Sequence, residues 1–142
     1  QRTFINVGPI HVTDPIGLRL INDAHMPNVR FMSPVPYDRL PGLIAGAAFG
    51  FLYMRPDHPA NRISSQKVVQ FLAQGKPFFC SWFSEYADQQ DLVYMTDDHQ
   101  EALNAFDRWC TVGEAPEARQ RRLDFAEKQR FINLVAQLPF RF

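Results

Sequence analysis

The sequence predicts an α/β protein with a Rossmann-like, open, mostly parallel sheet flanked by helices. Two observations predict it. Short strand-like runs alternate with helical patterns along all 142 residues, which is the order expected of βαβ units. The run AAFGFLYM, at 47–54, is apolar throughout, as in strands that a parallel sheet buries on both faces. The length suits one core, so we expect a single domain over residues 1–142.

The composition is that of a globular protein with an aromatic core. Hydrophobic residues make up 46% of the chain, charged residues 21%, and thirteen residues are Phe. The zero formal net charge argues against electrostatic binding of nucleic acid. Cys80 and Cys110 lack metal-ligand spacing, so two buried thiols in a reducing cytoplasm are expected, with a disulfide left open. The chain lacks an initiator Met and starts almost at once in a strand, which favours a fragment of a longer protein.

The first half of the chain predicts two strands and two helices before the apolar run. TFINVGPI (3–10) is a strand closed by a Gly-Pro turn, and PNVRFMS (27–33) is a strand flanked by turn formers. Between them, PIGLRLINDA (15–24) predicts a short helix with proline at its start. YDRLPGLIAGA (37–47) predicts a helix despite its internal proline and glycine.

The second half predicts three helices around two short strands. The helix in ISSQKVVQFLAQGKPFF begins at an N-cap, Ser64, and ends at Gly75. KPFFCSWF and DLVYMT are strands. DDHQEALNAFDRWC is a helix with Asp97 and Asp98 in its capping region. The last helix has an apolar stripe formed by Leu123, Phe131, Leu134 and Leu138.

Ligands of open α/β sheets bind beyond the carboxyl ends of the strands, which directs attention to the segments after each strand. These segments are residues 8–11, 33–36, 54–65 and 81–86. In the last of them, Glu85 and Tyr86 either contact a ligand or make no ligand contact. Within the preceding strand, Cys80 is expected to be a core thiol rather than a nucleophile.

The polar face of the helix after Ser64 indicates an anionic ligand. Gln66, Lys67, Gln70 and Gln74 share one arc. A lysine near a helix N-terminus is unfavourable by about 0.3–1 kcal/mol, and a bound anion reverses that penalty. The first amides of the helix are also a natural seat for phosphate. An ordinary solvated helix face is the competing and commoner interpretation.

A family pattern covers the same residues. NVRFMSPVPYDRLPGLIAGAAFGFLYM followed by SSQKVVQFLAQGKPFF resembles the C-terminal, donor-binding half of GT-B glycosyltransferases. The matching positions are Asn28, Val29, Phe31, Tyr37, Leu40, Pro41, Lys67, Leu72, Ala73, Gly75, Lys76 and Pro77. The two closing helices are also similar to those of the family, so the resemblance extends over nearly the whole chain.

The resemblance implies a site for a UDP-sugar, with no other cofactor and no metal. In it, residues 64–67 meet the diphosphate, residues 33–35 lie against the uracil, and Met54 borders the ribose. The implied donor-binding residues are Ser33, Pro34, Val35, Met54, Ser64, Ser65, Gln66, Lys67 and Gln70. The turn Gly8-Pro9-Ile10 is a further, weaker candidate. The catalytic base is expected on the missing N-terminal acceptor domain, so this chain alone should be inactive.

The implied activity is hexosyl or glucuronosyl transfer to a saccharide or lipid-linked saccharide acceptor, in exopolysaccharide or cell-envelope polysaccharide synthesis. Lys67 and Gln70 are spaced as in the xanthan-type glucuronosyltransferase. Many relatives have Glu where this chain has Gln70, and some have another Glu where it has Arg62. Because this chain lacks both glutamates, a second alternative is a binding or scaffold subunit that has no catalytic turnover. A relative of the sugar-nucleotide epimerases is a third alternative. The expected location is the cytoplasm. The segment RQRRLDFAEKQR either makes a peripheral contact with the membrane or, as is commoner for such a segment, forms a solvated helix face.

Overall fold

The computed structural model describes residues 2–8, 27–54 and 66–130. The chain divides into two compact units, Gln1–Leu40 and Pro41–Phe142. The helix predicted over 15–24 and the end of the last predicted stripe, from Phe131 onward, lie outside the described residues.

The first unit contains a parallel strand pair. Strand β1 (Phe4–Val7) pairs with β2 (Val29–Met32), from Phe4 opposite Val29 to Val7 opposite Met32. Both strands were predicted from their turn-bounded apolar runs and are confirmed. A 3-10 helix, Tyr37–Arg39, continues into helix α1 (Leu40–Gly46), as the sequence predicts. The first unit ends at Leu40, so the rest of α1 belongs to the second unit.

The second unit is a three-stranded parallel sheet with helices. Besides most of α1, the described elements of this unit are β3 (Gly50–Leu52), α2 (Gln66–Leu72), β4 (Phe78–Cys80), a 3-10 helix (Ser84–Tyr86), β5 (Tyr94–Met95), α3 (His99–Val112) and α4 (Ala118–Lys128). Strand β4 lies between β3 and β5 and is parallel to both. The predicted α/β class with parallel strands is therefore confirmed, and the described strands form two small sheets, of two and three strands.

The central strand β4 joins two apolar layers. Phe78 and Cys80 belong to a buried cluster with Val68 and Leu72 of α2 and Ala126 of α4. Val68 and Leu72 are four residues apart, so both lie on one face of α2, and both are fully buried. This layer fixes the axis of α2 against the sheet.

The opposite face of β4 is aromatic. The Phe79 ring stacks on Tyr94 with centroids 4.5 Å apart and meets Phe49, Phe106 and Trp109 edge-on at 5.4–6.0 Å. The aromatic core predicted from the Phe content is confirmed. The predicted burial of residues 47–54 on both faces is wrong for Phe51, which is 55% exposed. Strand β3 lies at the margin of this sheet, and the rings of α3 meet Phe49 and Phe79 instead.

Helix α2 ends as its sequence predicts. Gly75 has a φ of 68°, a left-handed conformation that glycine adopts without a Cβ clash. Its N–H donates to the Leu72 carbonyl at 2.8 Å, and the Lys76 N–H donates to the Phe71 carbonyl at 3.0 Å. This pair of bonds is a Schellman cap. It turns the chain back into β4, so the C-terminal end of α2 lies at the amino end of that strand.

Candidate ligand site at the carboxyl edge of the three-stranded sheet

The carboxyl ends of β3, β4 and β5 place six residues along one edge of the sheet. These residues are Tyr53 and Met54 after β3, Ser81 and Trp82 after β4, and Thr96 and Asp97 after β5. We call this set the carboxyl edge. All three strands are parallel, so the chain leaves each of them on the same side, which is where open α/β sheets bind ligands.

The Ser81 side chain holds the ends of β3 and β4 together. Its hydroxyl accepts a hydrogen bond from the Met54 N–H at 2.6 Å and donates one to the Met54 carbonyl at 3.0 Å. Its own N–H donates to the Leu52 carbonyl at 3.2 Å. Ser81 is only 1% exposed. The hydroxyl is thus a structural clamp that positions Met54, and it is not arranged as a nucleophile.

The Asp97 carboxylate joins the ends of β4 and β5. Its Oδ1 accepts a hydrogen bond from the Trp82 N–H at 2.9 Å, and the neighbouring Thr96 N–H donates to the Cys80 carbonyl at 3.2 Å. The sequence places both Asp97 and Asp98 in a capping region. In the structure Asp98 alone is the N-cap of α3, where its Oδ1 accepts from the Glu101 N–H at 2.9 Å. Asp97 belongs to the carboxyl edge.

Burial, with a smaller contribution from Asp97, raises the pKa of two acidic groups near this end of the sheet. Burial, with smaller contributions from Cys80 and Asp97, raises the pKa of the Tyr53 hydroxyl to about 12. Burial, followed by Asp97, raises the pKa of the Cys80 thiol to about 12. Both groups are therefore protonated at neutral pH. Cys80 is fully buried. This confirms the expectation of a core thiol rather than a nucleophile.

Ionising Cys80 places a negative charge in the core, which makes stability depend on pH. The folded-state pKa of about 12 lies above the ordinary value of 9.0. The stability associated with the neutral thiol is therefore complete below about pH 9 and is lost as the pH rises toward 12. We expect the free energy of unfolding to fall across this window, and to fall less steeply in Cys80→Ala. Urea denaturation at several pH values measures both slopes, and equal slopes would contradict the neutral, buried thiol.

Lys67 lies in the first turn of α2. Gln66 and Lys67 are exposed, and the first turn of this helix contains no acidic residue. Because the C-terminal end of α2 lies at the amino end of β4, its first turn points toward the carboxyl edge. The described helix has seven residues. Its dipole is correspondingly small, so the charge of Lys67 is the stronger attraction for an anion at this end.

The two glutamines that follow Lys67 on the polar arc both make contacts within the chain; Gln70 lies in α2, and Gln74 lies two residues beyond its end. Gln74 Nε2 donates to the Pro41 carbonyl at 3.4 Å, so this side chain tethers α2 to the start of the unit. Gln70 is half-buried and has contacts of its own within the chain.

The remaining predicted donor-binding residues fall in two places. Ser33, Pro34 and Val35 follow β2 in the first unit; the first two are exposed and Val35 is half-buried. Met54, Gln66, Lys67 and Gln70 belong to the second unit. Ser64 and Ser65 lie outside the described residues.

Comparisons with known protein families, curated proteins and solved structures found no match to this chain. Within residues 2–8, 27–54 and 66–130, no group of three or more His, Cys, Asp or Glu side chains is arranged to hold a metal ion. Across the same ranges, every helix is too short or too polar to cross a membrane.

Sequence reasoning missed a buried ionic network centred on Arg122. Arg122 of α4 is 1% exposed, and its guanidinium forms a two-pronged ion pair with Glu114, with N–O distances of 2.6 and 2.8 Å. It also donates to the carbonyls of Leu92 at 3.1 Å and Gly75 at 3.2 Å. The Trp109 indole N–H donates to Glu114 at 2.8 Å. A run of basic residues predicts a solvated or membrane-facing helix, yet this arginine points inward.

Asp97, Trp82 and Ser81 were also missed as a group. The sequence predicted a ligand-binding segment after β4, but the candidate contact residues that it indicated there were Glu85 and Tyr86. Tyr86 is fully buried in the apolar cluster and Glu85 is exposed on the following 3-10 helix. The available signal was the position of Asp97, directly after the predicted strand DLVYMT.

Proposed function

We propose that this chain binds a UDP-sugar at the carboxyl edge, as the donor-binding domain of a GT-B glycosyltransferase. The enzyme would transfer the sugar to a saccharide or lipid-linked saccharide acceptor in exopolysaccharide or cell-envelope polysaccharide synthesis. The observation that supports this most is the carboxyl edge itself. Polar groups from three parallel strands are cross-linked there, at the position where α/β sheets hold nucleotides.

The distribution of charge supports a phosphate near α2. Helix α3 begins with its own carboxylates, because Asp98 caps its first turn and Glu101 lies within it. Helix α2 begins instead with exposed Lys67 and no acidic side chain. An anion is therefore favoured on the α2 side of the edge and disfavoured on the α3 side.

The side chains at and beside the edge support the proposed donor site through the chemistry that they can supply. Lys67 can stabilise the charge that develops on a departing nucleoside diphosphate. Ser81 and Cys80 are not available as nucleophiles, since the hydroxyl makes two hydrogen bonds and the thiol stays protonated. Because neither side chain can act as a nucleophile, direct transfer of the sugar to the acceptor fits better than transfer through a covalent intermediate on Ser81 or Cys80. A base for the acceptor hydroxyl would come from the other domain.

Replacing Lys67 tests the phosphate role. We expect Lys67→Ala to weaken UDP binding by about 10- to 100-fold, the range for losing a hydrogen bond to a charged group. Lys67→Arg should retain most of the affinity. Isothermal titration calorimetry with UDP measures the change. Lys128→Ala is the matched control, because Lys128 is an exposed lysine in the last turn of α4.

Two results would count against the proposal. If the unchanged protein binds no uridine nucleotide at millimolar concentration, the donor-binding function is wrong. If it binds UDP and Lys67→Ala binds equally well, the phosphate does not meet Lys67. Thermal melting of each variant excludes unfolding as the cause, since replacing an exposed side chain should change stability by less than about 0.5 kcal/mol.

A further inference from the structure

Asp97 has an arrangement that phosphate binding near Lys67 does not explain. Its carboxylate is exposed and held in place through Oδ1 by the Trp82 N–H at 2.9 Å. Its other oxygen, Oδ2, accepts no hydrogen bond from any residue in the described ranges. The helix cap that an aspartate here could have formed is made by Asp98 instead. Asp97 therefore presents a positioned acceptor oxygen that the described residues leave without a hydrogen bond.

Aromatic side chains accompany this acceptor. Trp82, whose backbone holds Asp97, is 38% exposed although large aromatic residues are usually well buried. Tyr53 is close enough for Asp97 to contribute to the raised pKa of its hydroxyl, which therefore remains a hydrogen-bond donor at neutral pH. A sugar ring has a hydroxyl-bearing rim and apolar C–H faces. The Asp97 carboxylate and the exposed indole of Trp82 belong to two residues joined by a hydrogen bond, and together they offer a group suited to each part of such a ring.

The charges at this corner of the edge define which sugars fit. Asp97, Asp98 and Glu101 cluster where β5 leads into α3. Strands β3 and β5 are separated by β4, which places this acidic corner about 10 Å from the end of β3. A donor whose phosphates lie toward Lys67 can extend its sugar toward Asp97. A second negative charge on that sugar would be repelled there.

We infer that Asp97, with Trp82 beside it, binds the hydroxyls of the transferred sugar and selects a neutral sugar over a uronic acid. The inference rests on the proposed function, because the sugar is the one carried by UDP. It narrows the substrate class from hexose or uronic acid to neutral hexose.

The test compares UDP, UDP-glucose and UDP-glucuronate by calorimetry. The unchanged protein should bind UDP-glucose at least about 10-fold more tightly than UDP-glucuronate. Asp97→Asn keeps an oxygen that accepts from the Trp82 N–H but loses the charge. It should weaken UDP-glucose binding by about 10- to 100-fold and leave UDP binding unchanged. It should also reduce the difference in affinity between UDP-glucose and UDP-glucuronate. Trp82→Ala keeps the backbone N–H and should weaken UDP-glucose binding about 2- to 10-fold.

The control and the opposing results are equally specific. Asp107→Asn makes the same change on an exposed face of α3 and should leave all three affinities unaltered. Three results would each overturn the inference and leave the proposed function standing. They are an equal loss of affinity for UDP and UDP-glucose in Asp97→Asn, no loss of affinity for either ligand in that variant, and equal affinity of the unchanged protein for both UDP-sugars. Failure of the unchanged protein to bind any of the three ligands would overturn the proposed function, and the inference with it.

Discussion

Replacing Arg122 with alanine is expected to lower the free energy of unfolding by about 3–5 kcal/mol, the usual cost of breaking a buried ion pair by removing one partner. The guanidinium is 1% exposed and bonds to Glu114 and to the carbonyls of Leu92 and Gly75. Its removal leaves those carbonyls without this donor and leaves the Glu114 carboxylate without its ion partner. It also leaves a cavity between α4 and the chain that precedes β5.

Denaturation with urea, followed by circular dichroism, measures the effect of Arg122→Ala. Arg121→Ala is the matched control, because Arg121 is the adjacent arginine, with a side chain 49% exposed and 3.6 Å from Asp91. Such surface pairs contribute about 0–1 kcal/mol. Similar losses in the two variants would show that the Arg122 network does not hold the helices as described.

Phe79→Ala is expected to cost about 3–5 kcal/mol. Phe79 is 1% exposed and its ring meets four other aromatic rings, including Tyr94 at 4.5 Å and Phe106 at 5.4 Å. Truncation removes the centre of this aromatic layer. Neighbouring rings are rigid and planar, so they fill the resulting cavity poorly.

Phe51 provides the comparison, since it lies directly opposite Phe79 in the β3–β4 register. The two phenylalanines thus differ in burial at the same level of the sheet, and Phe51 is 55% exposed. Phe51→Ala should cost less than about 1.5 kcal/mol, because much of the transfer free energy of its ring is never gained. Equal destabilisation of the two variants would contradict the assignment of the aromatic layer to Phe79 and α3.

Local chemistry in the sequence predicted those parts of the fold that depend on neighbouring residues. The Asp98 cap of α3, the glycine that ends α2 and the turn-bounded strands all involve residues within a few positions of each other. Strong local signals of this kind need no knowledge of the rest of the chain. Lys67 was likewise predicted on an exposed face of α2, and it lies there.

The features that the sequence did not predict depend on distant partners. Arg122 is buried because carbonyls 30 and 47 residues away and the Glu114 carboxylate satisfy its donors. Helix α4 buries Ala118, Arg122 and Ala126, a face that the apolar stripe expected from Leu123 onward did not indicate. Asp97 was predicted in a capping region, and only the approach of Trp82 from the neighbouring strand reassigns it. The burial and the hydrogen-bond partners of such residues depend on tertiary contacts, which a periodic pattern in the sequence does not indicate.

The most direct test of the account is an NMR titration of the ¹⁵N-labelled chain with UDP. We predict saturable shifts of the backbone amides of Met54, Lys67, Ser81 and Trp82, all fitting one dissociation constant, because the nucleotide occupies the carboxyl edge beside α2. Amides at the amino ends of the strands, such as Gly50 and Phe78, should not move. No shifts at millimolar UDP, or shifts confined to the amino ends of the strands, would contradict donor binding at this edge.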